Sequence, residues 1–470
     1  MTYLSRSTWA LVTVGTTMLT VLSLCPAREE NKKPSENPVK PAVPAKESFS
    51  ALVARMEAAK PEVLKRQAAL LEERYELADK PAVGVTMSGG KKLQGGVRIK
   101  LPRGMTWEKL AELDPAAIRD KGLFPAGLLP LPHVNHPGGG MVLPGFAIDA
   151  LKKEEGRAMA RFDVDFDLPA HFLPEFPPPM YLTTRPELGD VTRGKLVTLQ
   201  NYAELFEGVL NPKQLDGLRL LLTPMPSQQF NSTEDRRTVH ASLGVACFDC
   251  HANGHTVGSF ALSPDIRPQA SRFRIDTPTL RGANIQRLFG SKRALKTVED
   301  ITEFEQRTAY FDGDPTAATR KGVGILERAT QVQAMAELQH ILDYPPAPKL
   351  NVYGKLDPKK ATESELRGQA LFFGKANCAI CHPAPYYTDN QMHNLQAERF
   401  YKPQTINGML AGSDGPIKTF PLRGIKDSPP YLHDGRLLTL EDTVEFFNLI
   451  LELKLSKEEK ADLTAFMRQL

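Results

Sequence analysis

Two five-residue runs constrain this chain more than anything else in it: Cys247-Phe248-Asp249-Cys250-His251 and Cys378-Ala379-Ile380-Cys381-His382. Each is a C-x-x-C-H sequence, the attachment signal for a c-type haem. The spacing follows from the chemistry. Two thiols one helical turn apart can each add to one of the two vinyl groups on a single porphyrin edge, and the histidine that follows binds the iron from the proximal side. A zinc site built from two Cys-x-x-Cys halves is the rival. It needs no histidine after each second cysteine, and its halves do not stand as far apart as Cys250 and Cys378. With 10 His in 470 residues, two histidines at these places are a poor coincidence. The residues therefore read as two covalently bound haem c groups, with Cys247, Cys250, Cys378 and Cys381 as attachment points and His251 and His382 as iron ligands.

A chain of 470 residues is long enough for two or three domains with substantial cores. A net charge of +4, with no dense basic run outside the N-terminal tail, excludes nucleic acid as a partner. At the N-terminus Arg6 is followed by an uncharged, mostly apolar stretch from Trp9 to Leu24 and by Cys25-Pro26-Ala27. That pattern reads as a secretory signal over residues 1–27, cut after Ala27. An uncleaved anchor is the alternative, but the stretch barely approaches a membrane crossing. The mature chain then has no stable membrane span. Leu24 is too bulky for the usual lipid attachment at Cys25. Export suits the two motifs, because bacteria attach c-type haem outside the cytoplasm; the expected location is periplasmic or otherwise extracytoplasmic. All four remaining cysteines are consumed by haem, leaving no disulfide.

Residues 28–47, rich in Lys, Glu and Pro, read as a tether. Residues 48–190 read as an irregular mixed α/β module of unknown role. It opens with two short helices (48–59 and 61–78) and continues with strand-like stretches such as Gly96 to Leu101 and many Pro-Gly turns. His133, His136 and His171 in it are read as surface or structural. From residue 191 onward the chain repeats itself. Gln214 to Leu222 before the first motif and Glu365 to Phe373 before the second both read as amphipathic helices with a glycine on the packing face. Asn211-Pro212 caps the first, and Thr362 with Glu365 forms a capping box for the second. After the motifs, Leu280-Arg281-Gly282 pairs with Leu422-Arg423-Gly424, Glu299-Asp300 with Glu441-Asp442, and Glu303-Phe304 with Glu445-Phe446. A last helix opens at a Ser456/Glu459 capping box, with Leu463, Phe466, Met467 and Leu470 on one face. The expected fold is mainly α: two cytochrome c-like haem domains, 191–350 and 351–470, behind the N-terminal module.

Over about residues 205–470 the chain resembles the bacterial di-haem cytochrome c peroxidase family, with its relative, the methylamine-utilisation enzyme MauG. The resemblance is carried by Cys378 to His382, Thr388-Asp389-Asn390-Gln391-Met392-His393-Asn394, Pro421-Leu422-Arg423-Gly424, Tyr431-Leu432-His433-Asp434-Gly435 and Leu440-Glu441-Asp442. It implies two all-helical haem domains in contact, one taking electrons from a small cytochrome or cupredoxin and the other reducing hydrogen peroxide to water. It also admits calcium between the domains, for which no clear signature exists here. Three departures stand out. The place of the family's distal Met or Tyr on the C-terminal haem is Phe447, which cannot bind iron. The Trp found between the haems in many members is missing, Trp9 and Trp107 lying elsewhere and Phe289 standing near its place. The first distal loop offers only His255, four residues after His251 and so on the proximal side.

Peroxide chemistry needs an open iron and a group that moves a proton between the peroxide oxygens. Glu305 stands in the repeat register of Phe447 and is the favoured acid/base, with Glu303 two residues earlier as the second choice. Arg281 and Arg423 are suited to haem propionates, which a guanidinium grips with two donors. His433 borders the second haem and tunes it through hydrogen bonds. Met392, Met409 and Met467 are candidate distal ligands, though Met467 looks like packing. His240, His255, His340 and His393 are read as structural or as supporting the haem ligands from behind. The leading function is an extracytoplasmic di-haem peroxidase, the second haem relaying electrons to the first. The alternatives are a non-catalytic di-haem electron carrier and a MauG-like oxidase acting on a partner protein.

Overall fold

The computed structural model describes residues 49–134, 140–157, 163–164, 167–226, 244–262, 274–311, 327–403, 405–406, 409–410 and 415–470. The signal and tether readings (1–27 and 28–47), His136 and His240 lie outside them. The first element, α1 (Phe49–Arg74), corrects the expectation of two short helices, because it runs straight through Pro61. Pro61 removes one backbone donor, but the Ala, Leu, Glu and Arg residues around it are strong helix formers that carry the helix past the gap. Near its end Arg74 Nη1 donates to the carbonyls of Leu129 and Pro130 at 3.1 and 3.2 Å.

Gly96 to Leu101 is not a strand either; only one isolated bridge, Tyr75 to Ile99, forms there. The amides of Arg98 and Ile99 instead donate to the Asp442 carboxylate at 2.7 and 3.1 Å. A side chain far along the sequence thus takes the donors that a neighbouring strand would take.

The repeat read in the sequence is also a repeat of local structure. Helix α3 (Pro212–Leu222), closed by an Asn211/Gln214 capping box, lies against α5 (Gln333–Gln339). A Cβ on Gly217 would overlap the Ala334 carbonyl. In the second half α6 (Glu363–Phe373) and α8 (Lys457–Met467) have the capping boxes Thr362/Glu365 and Ser456/Glu459. They cross where a Cβ on Gly368 would overlap the Asp462 carbonyl. Glycine is required at both crossings. Gly282 and Gly424 are both left-handed (φ 72° and 69°), open a 3₁₀ turn and press on the Tyr344-Pro345 linker. Equivalent bridges follow, Phe289 to Leu295 and Tyr431 to Leu437. The equivalent helices α4 (Val298–Phe311) and α7 (Leu440–Ile450) come next.

Helix α2 (Gly145–Glu155) follows a strand of a four-stranded sheet. Its strands are β1 (Gly140–Leu143), β2 (Asp163–Val164), β3 (Phe260–Leu262) and β4 (Ile275–Asp276), in the order β2-β1-β3-β4. Only β1 and β2 are parallel; Val142 is level with Asp163 and with Phe260. This sheet ties the N-terminal residues to the loop after the first motif.

Among the described residues two large hydrophobic clusters organise the interior. One holds Met180, Phe206, Leu218, Phe248 and Met335 of the first half. The other runs from Tyr75, Ile99, Leu110 and Phe124 into Phe372, Phe400, Phe446 and Phe466 of the second. The early part of the 48–190 segment therefore shares one core with residues 351–470. Rings meet across it, as at Phe124 and Tyr401 (5.4 Å), and each large side chain buried there contributes about 1.5–3 kcal/mol. Polar ties reinforce it: Leu131 N donates to Asp434 at 2.8 Å and Thr439 Oγ1 to the Gly96 carbonyl at 2.8 Å.

Candidate haem-attachment sites

Cys247–Cys250 is a single helical turn, so its two thiols stand one turn apart. Asp249, inside the motif, accepts from the Ala246 amide at 2.9 Å and closes the turn from within. It also receives both Nη groups of Arg157, one at 3.0 Å, while Arg157 Nε reaches Glu155 at 2.6 Å. The end of α2 therefore clamps the first motif. Burial pushes the Asp249 carboxyl up, against the opposing pull of Arg157. Cys250 is buried, which pushes its thiol up to about 12. Burial pushes His251 down to about 4, so its imidazole is neutral. The Pro278 carbonyl favours its protonated form.

The next turn is fixed by polar ties. Asn253, at φ 50°, donates to the Pro178 and Lys195 carbonyls (2.7 and 2.9 Å) and accepts from the Val197 amide (2.9 Å). His255 is buried, with one ring nitrogen at Thr279 Oγ1 (2.8 Å) and the other at the Asp427 carbonyl (2.9 Å). Both nitrogens are committed, which makes it a strut between the two halves.

The second motif opens at Asn377, also left-handed (φ 54°), and Cys378–Ile380 forms a 3₁₀ turn. Burial pushes Cys378 up to about 12 and raises Cys381 as well. His382 Nδ1 lies 2.8 Å from the Tyr387 carbonyl. A carbonyl only accepts, so Nδ1 carries the hydrogen and Nε2 keeps its lone pair for a metal. Burial pushes His382 down to about 4. Tyr387 is itself fixed, its hydroxyl donating to the Gly354 carbonyl.

The segment carrying the resemblance clasps the first half. Asn390 Oδ1 accepts from the Arg287 amide at 2.8 Å, and Arg293 donates to Gln391 at 3.1 Å. The Lys418 amide donates to the Ser291 carbonyl at 3.0 Å. Buried Lys418 reaches Gln286 Oε1 at 2.9 Å, between the rings of Phe289 and Phe420 (5.5 and 5.1 Å). Burial pushes its ammonium down to about 8. Phe289 thus stands in the seam beside Lys418.

The remaining candidates divide. Glu305 lies in α4 and is half-buried there. Glu303 instead pairs with Arg328, which also reaches Asp300 at 2.5 Å. Arg281 is buried; Nη2 donates to the Pro179 carbonyl at 2.6 Å and Nη1 lies 3.5 Å from Asp427, while Nε has no partner. Arg423 Nε donates to the Leu470 carbonyl at 2.8 Å. The His433 carbonyl accepts from the Asp276 amide at 2.8 Å, across the same seam. Met467 is buried in the second half's core, Met392 is paired in a two-stranded ribbon, and the side chain of Met409 lies outside the described set. His393 Nε2 sits 2.7 Å from Asp389, and His171 Nε2 sits 2.9 Å from the Leu77 carbonyl. Phe447 packs edge-on to Phe446 (5.3 Å). Sequence reading missed Arg157 and Lys418, because neither carries a local signal; both act through long-range partners. Among the described residues no group of three or more His, Cys, Asp or Glu side chains can hold a metal ion.

The donor set fits two porphyrins: two thiol pairs free of disulfides, each followed by an imidazole held neutral, with an unpartnered buried guanidinium nitrogen on Arg281.

The comparisons find similarity to MauG proteins and to cytochrome-c peroxidases. The MauG protein of Methylorubrum extorquens is 32% identical over 122 residues, 22% of this chain and 33% of that protein. The cytochrome-c peroxidase IdrP1 of Denitromonas iodatirespirans is 30% identical over 147 residues, 22% of this chain and 39% of that one. The MauG protein of Methylophilus methylotrophus is 24% identical over 259 residues, 49% of this chain and 77% of its own length. Over part of its length this chain is similar to MauG proteins and cytochrome-c peroxidases, and it spans 33% and 39% of the first two relatives. No protein-family model matches it. Among solved structures, a MauG-like protein associated with microbial copper homeostasis has a TM-score of 0.35 at 20% identity, covering 53% of this chain and 92% of that one.

Proposed function

We propose that this chain is an extracytoplasmic di-haem c-type oxidoreductase that reduces hydrogen peroxide to two waters, using two protons and two electrons from a small redox protein. The observation that carries the reading is the pair of C-x-x-C-H turns, each presenting two thiols and a neutral imidazole. Cys247, Cys250 and His251 hold one haem, and Cys378, Cys381 and His382 the other. Each haem, when bound, supplies a redox-active iron. The protein's own contribution is positional and acid–base. The Tyr387 carbonyl fixes the tautomer of His382. Arg157 and Asp249 fix the first turn, and the guanidinium of Arg281 has a donor to spare for a propionate. Glu305, in the repeat register of Phe447 on α4, accepts a proton from one peroxide oxygen and returns it to the other, so that the second leaves as water.

Extracytoplasmic placement rests on the N-terminal sequence; among the described residues no helix is long and apolar enough to cross a membrane. Stopped-flow mixing of the fully reduced protein with peroxide tests the reaction. Oxidation of both haems by one equivalent is expected, and no oxidation of either refutes it. A carrier with both irons six-coordinate would also refuse carbon monoxide when reduced.

A further inference from the structure

Large apolar side chains standing in solvent gather beside the second motif. Val352 is 87% exposed, Tyr353 75%, Ile380 69% and Tyr386 47%. Ile380 lies between the two thiols, and Tyr386 is in the loop that follows them. Val352 and Tyr353 tip the turn from Asn351 to Lys355, which rests on that loop. A Cβ on Gly354 would stand 2.7 Å from Pro385 Cα, and Tyr387 donates to the Gly354 carbonyl. The turn is built rather than loose. Asn351 Oδ1 accepts from the amides of Tyr353 and Lys355 (2.9 and 3.1 Å), and Asn351 and Lys355 close it through a 2.8 Å backbone bond. Turn tips ordinarily carry polar residues, and a fixed tip of Val and Tyr held in water is a feature of interaction sites.

The rim is basic. Lys349, Lys355, Lys359 and Lys360 lie on this one segment against a single acid, Asp357. Lys349 is answered by Glu365 at 2.6 Å. Lys355, lying over the Phe373 ring, and Lys359 and Lys360 make no ion pair among the described residues.

We propose that this apolar tip with its lysine rim is the docking face for the electron donor, and that the donor is a small redox protein with an acidic face, of the acidic cupredoxin type. The proposal rests on the di-haem reading given above and names the partner of its second site. Opposite charges speed encounter, and a small apolar contact lets the complex part again after each one-electron transfer, in which the donor metal is oxidised and the acceptor at His382 reduced. Transient redox complexes of this kind bury less than about 1,200 Å².

The test uses the full-length haem-loaded protein and two oxidised, redox-idle probes: an acidic cupredoxin and a strongly basic cytochrome c. Binding is read by biolayer interferometry at rising salt. The cupredoxin is expected to bind, with affinity that falls as salt rises. The double substitution Lys359→Glu/Lys360→Glu is expected to weaken it about tenfold or more, and Val352→Ser/Tyr353→Ser about tenfold, with circular dichroism unchanged. Tighter binding of the basic cytochrome, no binding of either probe, or indifference to both variants overturns the proposal. Peroxide consumption with a small-molecule reductant is measured alongside: both variants are expected to keep it. Its absence in the unaltered protein refutes the peroxidase reading while leaving the binding result intact.

Discussion

Asp300 and Asp442 hold the same place in the two halves, at the start of equivalent helices, and each has a threonine before it that caps its amide (Thr297 and Thr439, both at 3.1 Å). Their surroundings are opposite. Asp300 meets Arg328 at the surface, and that hydrogen bond holds its carboxyl below the usual range. Asp442 is sealed under residues 96–99, and burial pushes it up to about 7. Its Oδ1 takes both backbone donors while Oδ2 has no partner, which is where a proton fits. The motifs differ in the reverse sense. The first is enclosed and clamped by Arg157, and the second lies at the surface with Ile380 in solvent. One repeat has thus been dressed twice, with the first motif enclosed, the second at the surface, and residues 98 and 99 laid on Asp442 of α7. An enclosed site suits chemistry on a small oxidant, and an exposed edge suits electron entry.

Substitution of the cysteines breaks the comparison most severely. Cys247→Ala/Cys250→Ala and Cys378→Ala/Cys381→Ala are each expected to leave one haem per chain by pyridine haemochrome assay and to abolish donor-driven turnover. Glu305→Gln is next: kcat/KM for peroxide should fall about 10²–10⁴-fold, the range for a lost acid/base group. Glu303→Gln should stay within about twofold, because Glu303 serves a surface pair with Arg328.

The third prediction concerns pH. The folded carboxyl of Asp442 is raised to about 7 from 3.8, so its contribution is fully present below about pH 4 and is lost as pH rises through about 7. Urea unfolding should show a loss of up to about 4 kcal/mol across that window. Asp442→Asn keeps an acceptor oxygen and should flatten the profile, whereas Asp300→Asn should leave it in place. The smallest effect is in the helix crossings. Gly368→Ala and Gly217→Ala should each cost about 1–3 kcal/mol by thermal unfolding, since each half closes on a carbonyl that a Cβ would strike.

What was legible in the sequence was local. The caps at Thr362/Glu365 and Ser456/Glu459, the glycines at 217 and 368 and the paired Leu-Arg-Gly runs each declare themselves within a few residues, and each forms as read. What was not legible depended on distant partners. Nothing near Gly96 to Leu101 announces that Asp442 will take its amides, and nothing near Arg157 announces Asp249. Pro61 misled for a related reason: a proline is a strong local signal, yet the helix formers around it outweigh one missing hydrogen bond. The shared core of the N-terminal residues and the second half belongs to the same group, because hydrophobic pattern shows which side chains are buried but not against what.

The division of labour between the two motifs is tested most directly by mixing peroxide with the reduced one-haem variants. Cys378→Ala/Cys381→Ala, which keeps the enclosed first site, should oxidise at a rate near that of the intact protein, and Cys247→Ala/Cys250→Ala should not react. The reverse pattern, with the surface site alone consuming peroxide, would contradict the account.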